Sequence, residues 1–280
     1  MDTSIAAQFH EQGCAHPIRV MPEDVGLEFG RRLQRDLAAL SGETGFDDWT
    51  YYKPYLIFDW YFDLACDDTL LDAVEQLVGP NILLWGGSIV VKEPRTKGYF
   101  SWHQDEEYWN LEPKGKAVVA WLALGEVNAG NGCMRYIPGS HREGSFLHEL
   151  TYHPDNYLRR GQRLINDPDL DEAVDIELHP GEMSLHHGLV VHGSGANESD
   201  QPRLGITMTF IPADVKAIGA DESAVLVRGE DAHHYFRTEQ RPRGLAMPED
   251  REIHRAAMEE ITARTISRAG KQQAFSESAR

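Results

Sequence analysis

The chain has 280 residues, 45 acidic and 27 basic, for a formal net charge of −18, and 41% of its residues are hydrophobic. This is ordinary globular usage, which excludes collagen-like, disulfide-scaffold and wholly disordered chains. The acidity argues against a nucleic-acid or anionic-membrane binder, since both need clustered Lys and Arg. Cys14, Cys66 and Cys133 are odd in number and far apart, matching neither a disulfide framework nor a thiolate zinc site. The N-terminus lacks the basic start and apolar run of a signal peptide, and no stretch reaches the roughly 18 apolar residues of a membrane span. A soluble, cytoplasmic protein is expected, of a length suited to one large domain.

The first eighty residues read mostly as helix. Thr3 or Ser4 can cap a short helix ending at Gly13. Val25, Phe29, Leu33, Leu37 and Leu40 mark an amphipathic helix over 23–40, although Gly26 and Gly30 weaken its first turns. A further helix spans 67–78 and stops at Gly79-Pro80, while the aromatic segment 49–62 fits no single pattern. From Asn81 the chain changes to short β-rich runs, at 82–85, 88–91, 99–103, 117–124, 133–137, 175–178, 182–187, 190–192 and 203–210. Gly, Pro and Asn punctuate them, as in a sandwich or barrel of the jelly-roll kind. The polar stretch 141–171 reads as a long insertion between strands. After Pro212 the chain turns polar, with a helix start at Met247-Pro248-Glu249-Asp250, a helix over 252–268 and a frayed tail over 271–280. The expected organisation is a single domain, 1–280: a mostly helical part (1–80), a β core (81–212) with an insertion at about 141–171, and a helical C-terminal part and tail (213–280).

The chemistry concentrates in Trp102-His103-Gln104-Asp105. On a strand, residues i and i+2 share a face, so His103 and Asp105 would present an imidazole and a carboxylate side by side. A second imidazole comes from His192, on the run Val190-Val191-His192-Gly193-Ser194-Gly195. Two imidazoles and one carboxylate form the facial triad of non-haem Fe(II) oxygenases, with three positions left open. Tetrahedral zinc, with one open position, suits this set less well. An isolated His-x-Asp occurs often as a surface pair, so the context carries weight. Arg203 lies eleven residues beyond His192, at the head of a β run, where its guanidinium can hold a carboxylate by a bidentate fork.

Several motifs occur together in one order. They are Val90-Val91-Lys92-Glu93-Pro94, Trp102-His103-Gln104-Asp105, Ala120-Trp121, Asn131-Gly132-Cys133, Ile137-Pro138-Gly139-Ser140-His141 and His192-Gly193-Ser194-Gly195-Ala196-Asn197 followed by Arg203. In these the chain resembles the phytanoyl-CoA dioxygenase family, within the Fe(II)/2-oxoglutarate-dependent oxygenases. The resemblance implies a mainly β fold with flanking helices, a double-stranded β-helix (a cupin-like jelly roll). It implies that His103, Asp105 and His192 bind Fe(II), that Arg203 pairs with the distal carboxylate of 2-oxoglutarate, and that Lys92, Trp121 and Ser194 are further cosubstrate contacts. O2 would be the oxidant, with succinate and CO2 released as a substrate C–H bond is hydroxylated. Halogenating relatives replace the carboxylate ligand with a small residue; Asp105 argues against that reaction here. Desaturation, epimerisation and ring closure use the same ligands and stay open.

Other residues are weighed against simpler roles. Glu106, Glu107, Tyr108 and Trp109, just past the metal motif, are placed to meet a substrate, or are solvated acids beside packed aromatics. Arg135 could meet an anionic group or pair with a neighbouring acid. His187 is expected to support the site or pack in the core, since the family tends to carry His there. Residue 186 shares strand parity with His192, but the Gly188 break makes that parity unreliable. His141 reads as structural, His233, His234 and His254 as surface, Lys114-Gly115-Lys116 as a turn, and the basic run 159–163 as a solvated loop. The substrate would be a small molecule, such as an amino acid derivative or a specialised metabolite. The competing reading is a jelly-roll protein that binds a metabolite without turnover.

Overall fold

The computed structural model describes residues 4–42, 51–158, 162–166, 169–219 and 221–261. Helix α1 (Ile5–Gln12) begins where the Ser4 hydroxyl accepts a hydrogen bond from the Ala7 amide, and it stops at Gly13. Strand β1 (Cys14–Arg19) follows at once. It is hard to see in the sequence because Pro17 interrupts it, which an edge strand tolerates. Helix α2 (Glu23–Leu40) has the expected bounds. Its glycines are contact points: a Cβ on Gly30 would lie 2.1 Å from the Leu124 carbonyl oxygen. Helix α3 (Asp59–Ala65) begins within the unassigned aromatic segment, and α4 (Asp68–Val78) is capped by Asp67, which accepts from the Leu70 amide. Residues 43–50, including Trp49, lie outside the described residues.

Strands β2 (Ile82–Lys92), β3 (Phe100–His103), β4 (Leu111–Glu112), β5 (Val118–Ala123) and β6 (Met134–Tyr136) come next. Inside the expected insertion, β7 (His148–Leu150) and β8 (Gln162–Leu164) pair as a hairpin. The basic run is cut by residues 159–161, which lie outside the described residues. Strands β9 (Val174–Ile176), β10 (Glu182–His187), β11 (His192–Ser194) and β12 (Arg203–Pro212) follow, then β13 (Lys216–Ala217), β14 (Ser223–Arg228) and β15 (Arg237–Thr238).

Among the described residues a seven-stranded sheet runs β1-β10-β5-β12-β2-β14-β15, and a four-stranded sheet runs β3-β11-β6-β9. Trp121 and Ala123 of the larger sheet pack against Met134, Tyr136 and Ile176 of the smaller one. The result is a mainly β fold with flanking helices: the double-stranded β-helix, or cupin-like jelly roll. Strand alternation divides the large sheet cleanly. Leu204, Ile206, Met208 and Phe210 of β12 face the helices, packing with Leu33, Tyr55, Tyr61 and Leu70. The intervening Arg203, Gly205, Thr207 and Thr209 therefore face the interior between the sheets.

Three expectations change. The runs at 82–85 and 88–91 are one strand; Thr209 pairs with Gly86 and Phe210 with Leu84, so Trp85 is absorbed in a bulge. The segment after Pro212 is not simply helical: β14 extends the large sheet beyond β2, ahead of a helix that begins at 248, at the expected start. Its expected end and the tail, 262–280, lie outside the described residues. Finally, His254 is not a surface residue; it is buried, with Nε2 2.8 Å from the Tyr52 carbonyl oxygen.

Candidate metal centre

His103 closes β3 and His192 opens β11, and the register sets them directly opposite each other. Their rings lie 4.2 Å apart, centroid to centroid. Asp105 is not on the strand, as parity supposes, but starts a 3-10 turn immediately after it. Buried Gln104 pins that turn. Its side-chain amide donates to the Gly144 and Leu189 carbonyls, and its Oε1 accepts from the Phe146 amide. Asp105 Oδ1 thereby comes 3.2 Å from His103 Nε2 and 3.9 Å from His192 Nε2.

The donor set suits a divalent cation. Nδ1 of His103 lies 2.7 Å from the Ser101 carbonyl, and Nδ1 of His192 lies 3.0 Å from that of Val190. Donation to those carbonyls fixes both tautomers and leaves the Nε2 lone pairs for a metal. Ligand atoms about 2.1 Å from an ion and at right angles lie about 3 Å apart, close to the separations here. The three residues' ligand atoms all lie within 4.8 Å of one another. Burial, reinforced by the His103 imidazole, lowers His192 to about 3, so its ring is neutral. Burial acts to raise Asp105, but the surrounding imidazoles outweigh it and hold the carboxyl well below its usual range. A carboxylate flanked by two imidazole Nε2 atoms is a cation site.

Beyond the triad lies a pocket of opposite character. Lys92 and Arg203 are cross-strand partners on β2 and β12, 0% and 1% exposed. Lys92 Nζ donates to Ser194 Oγ at 2.7 Å and to the Gly132 and Gly195 carbonyls. Arg203 also donates to the Gly132 carbonyl, while its Nε has no partner. The Trp121 ring lies 5.4 Å from the guanidinium, and Phe100 lies 5.6 Å from Nζ. Gly205 makes room for that indole, since a Cβ there would sit 2.3 Å from it. Burial, with Arg203 alongside, pushes Lys92 down to about 6, and burial lowers Arg203 to about 10. No carboxylate among the described residues forms an ion pair with either cation. Two buried cations without a counter-ion point to an anionic ligand.

The remaining candidates divide. Glu106 is buried; its Oε1 accepts from the Gly115 amide at 2.6 Å, its Oε2 has no partner, and burial raises its pKa. Trp109 packs edge-on against Trp85, 5.5 Å away. Tyr108 has its backbone in the 3-10 turn, and its side chain lies outside the described residues. Arg135 is not brought to the triad. It pairs with Asp175 at 2.7 Å and lies over Trp102, opposite Gly193 in the register, on the outward face of the small sheet. His187 is turned away from the centre, towards Phe9 and His141. The residue that does reach the centre is His186, 2% exposed, with Nε2 3.4 Å from Asp105 Oδ2. Strand parity with Ser184 carries that signal, because His186 precedes the break at Gly188. Gln104 lies within the metal motif, but its pinning role has no sequence signal, since its partners come from distant loops.

Comparisons with known proteins agree with this fold. The family model described as phytanoyl-CoA dioxygenase matches residues 10–205. The peroxisomal phytanoyl-CoA dioxygenase of Bos taurus is 29% identical over 158 residues, covering 54% of this chain and 46% of that protein. The chain thus spans about half the length of the curated relatives it matches. Among solved structures, the non-heme monooxygenase ThoJ without ligand superposes with a TM-score of 0.86 at 27% identity, covering 96% of this chain and 100% of that one. CytC3 with Fe(II) and alpha-ketoglutarate shares the fold, with a TM-score of 0.64 at 19% identity over 86% of this chain and 94% of that one. Matched over more than two-thirds of its length, the chain belongs to the phytanoyl-CoA dioxygenase family.

Proposed function

We propose that this chain is an Fe(II)- and 2-oxoglutarate-dependent oxygenase that hydroxylates an unactivated C–H bond of a small-molecule metabolite. The observation that carries this reading is the pairing of a cation site with a buried pocket of two basic side chains, linked through β11. Ser194, a partner of Lys92, is two residues from the donor His192 on β11, about 7 Å of strand. A five-carbon dicarboxylate spans such a distance, with one end at the metal and the other at Arg203. Bound there, Fe(II) and 2-oxoglutarate supply the oxidation, with O2 as oxidant and succinate and CO2 as the cosubstrate's products.

The chain's own residues bind, orient and exclude water. His103, Asp105 and His192 hold the ion; the fork of Arg203 and the ammonium of Lys92 neutralise the distal carboxylate; Ser194 hydrogen-bonds beside it. Trp121 and Phe100 wall the pocket from water, which strengthens those charge interactions. Trp109, with the unpartnered Oε2 of Glu106, supports a substrate wall for an apolar body carrying one donor group. We also take residues 1–280 as one oxygenase domain, because β1 and β14, from either side of the core, pair into the same sheet.

The test is an assay of succinate release over a panel of metabolites with Fe(II), 2-oxoglutarate and O2. One panel member should raise succinate and return as a product heavier by one oxygen atom. A product of unchanged mass supports epimerisation instead, and one lighter by two hydrogens supports desaturation or ring closure. No metal-dependent turnover with any of them, alongside tight binding of one, favours the non-catalytic binder.

A further inference from the structure

Asp105 uses its two oxygens differently. Oδ1 faces the Nε2 atoms of His103 and His192, at 3.2 and 3.9 Å, while Oδ2 lies 3.4 Å from Nε2 of His186. We propose that His186 is a positioning residue that holds Asp105 in one-oxygen coordination and so keeps one more metal position open for cosubstrate and oxygen. This rests on the metal reading above.

The placement follows from the fold. On β10, Met183 and Leu185 pack with the helices on the outer face, so Ser184 and His186 point inward. The register sets His186 opposite Val119 on β5 and Cys14 on β1, which fixes the ring from both sides. It lies 4.8 Å from the His192 ring, centroid to centroid. His186 is not a fourth ligand: among the described residues, the donor atoms lying mutually close enough to share an ion are those of His103, Asp105 and His192.

Its hydrogen bonding has one economical solution. Nδ1 of His186 is buried and has no partner. A proton on Nδ1 would leave a buried, unpaired N–H, whereas a proton on Nε2 meets a carboxylate. The proton therefore sits on Nε2 and is donated to Oδ2, as a charge-assisted bond. An oxygen so engaged is unavailable to the metal. In an octahedral site, two imidazoles and a chelating carboxylate would occupy four of six positions, leaving too few for a bidentate cosubstrate plus oxygen. One-oxygen coordination leaves three.

The experiment is anaerobic titration with Co(II) of wild type and of His186→Phe, His186→Leu and His186→Gln, with the thermal unfolding of each metal-free protein. Phe and Leu, which cannot donate, should weaken Co(II) binding by about 10–100-fold, the usual effect of losing a partner of a metal ligand. Their metal-free proteins should still unfold cooperatively, within a few degrees of wild type, because the lost donor to Asp105 Oδ2 is partly offset by removal of the unpaired Nδ1. Gln, whose amide can donate to Oδ2, should recover most of the affinity. Two unlike volumes, Phe and Leu, guard against a single misfolded variant. Folded Phe and Leu variants that bind Co(II) like wild type overturn the inference, as does an equal loss in all three. Wild type that binds no Co(II) overturns the metal-site reading and this inference with it.

Discussion

Lys92 is the residue whose chemistry most sharply distinguishes a ligand-binding pocket from a folded core. An ammonium that is 0% exposed, beside a guanidinium and without a carboxylate, is unfavourable unless it loses its proton or gains an anion. Folded and ligand-free, it holds its proton only up to about 6, against 10.5 for the free side chain. Its protonation therefore opposes folding; that penalty is largest at acid pH and fades as pH rises from about 6 towards 10.5. An anion bound alongside restores the proton, so above 6 binding must take one up, and affinity should fall by up to about tenfold per pH unit. Calorimetry of 2-oxoglutarate binding in two buffers of different ionisation enthalpy should report that uptake in wild type and its loss in Lys92→Met. Binding to wild type with no proton uptake at mildly alkaline pH contradicts the placement of the dianion beside Lys92. At this scale the sequence was informative where chemistry fixes identity and spacing, as for His103, Asp105, His192 and Arg203. It was silent on Gln104, whose partners come from loops at 144, 146 and 189. At 186 it was indecisive: parity with His192 across Gly188 does not apply, since the two lie on strands of different sheets, and only the alternation within β10 turns His186 inward.

Elements show the same division. Helices α1, α2 and α4 were legible from capping residues and apolar spacing. The β2 bulge was not, because paired glycines mark a turn as readily as a strand opposite Thr209. β14 was not either, since a short apolar run between polar segments becomes a strand only when β2 offers it an edge. The glycines of α2 have a physical use that only packing shows. Gly30 lets the helix backbone approach the Leu124 carbonyl, so Gly30→Ala, favourable in an isolated helix, should here push α2 off the sheet. The expected destabilisation is about 1–3 kcal/mol, lowering Tm by about 2–4 °C per kcal/mol. Thermal unfolding of the variant checks this, and an unchanged or higher Tm means that α2 packs less closely than described.

For the whole molecule, the net charge of −18 first suggested what the protein avoids. Its interior reverses that sign locally: Arg203 and Lys92 form a buried cationic pocket that can draw a dianion into an acidic protein, because contact terms in a dry site exceed screened surface terms. No helix among the described residues is long and apolar enough to cross a membrane. Helices on the outer face and the small sheet on the inner face leave the triad and the cation pocket together between the two sheets, on strands except for Asp105, which the 3-10 turn after β3 carries. The central claim is that both act on one bound pair, Fe(II) and 2-oxoglutarate. The direct measurement is the visible absorption of the anaerobic protein on adding Fe(II) and then 2-oxoglutarate. Wild type should develop a weak metal-to-ligand charge-transfer band, absent in Asp105→Ala and His192→Ala and needing far more 2-oxoglutarate in Arg203→Ala. No band in wild type, or a band unchanged in Asp105→Ala and His192→Ala, would contradict it.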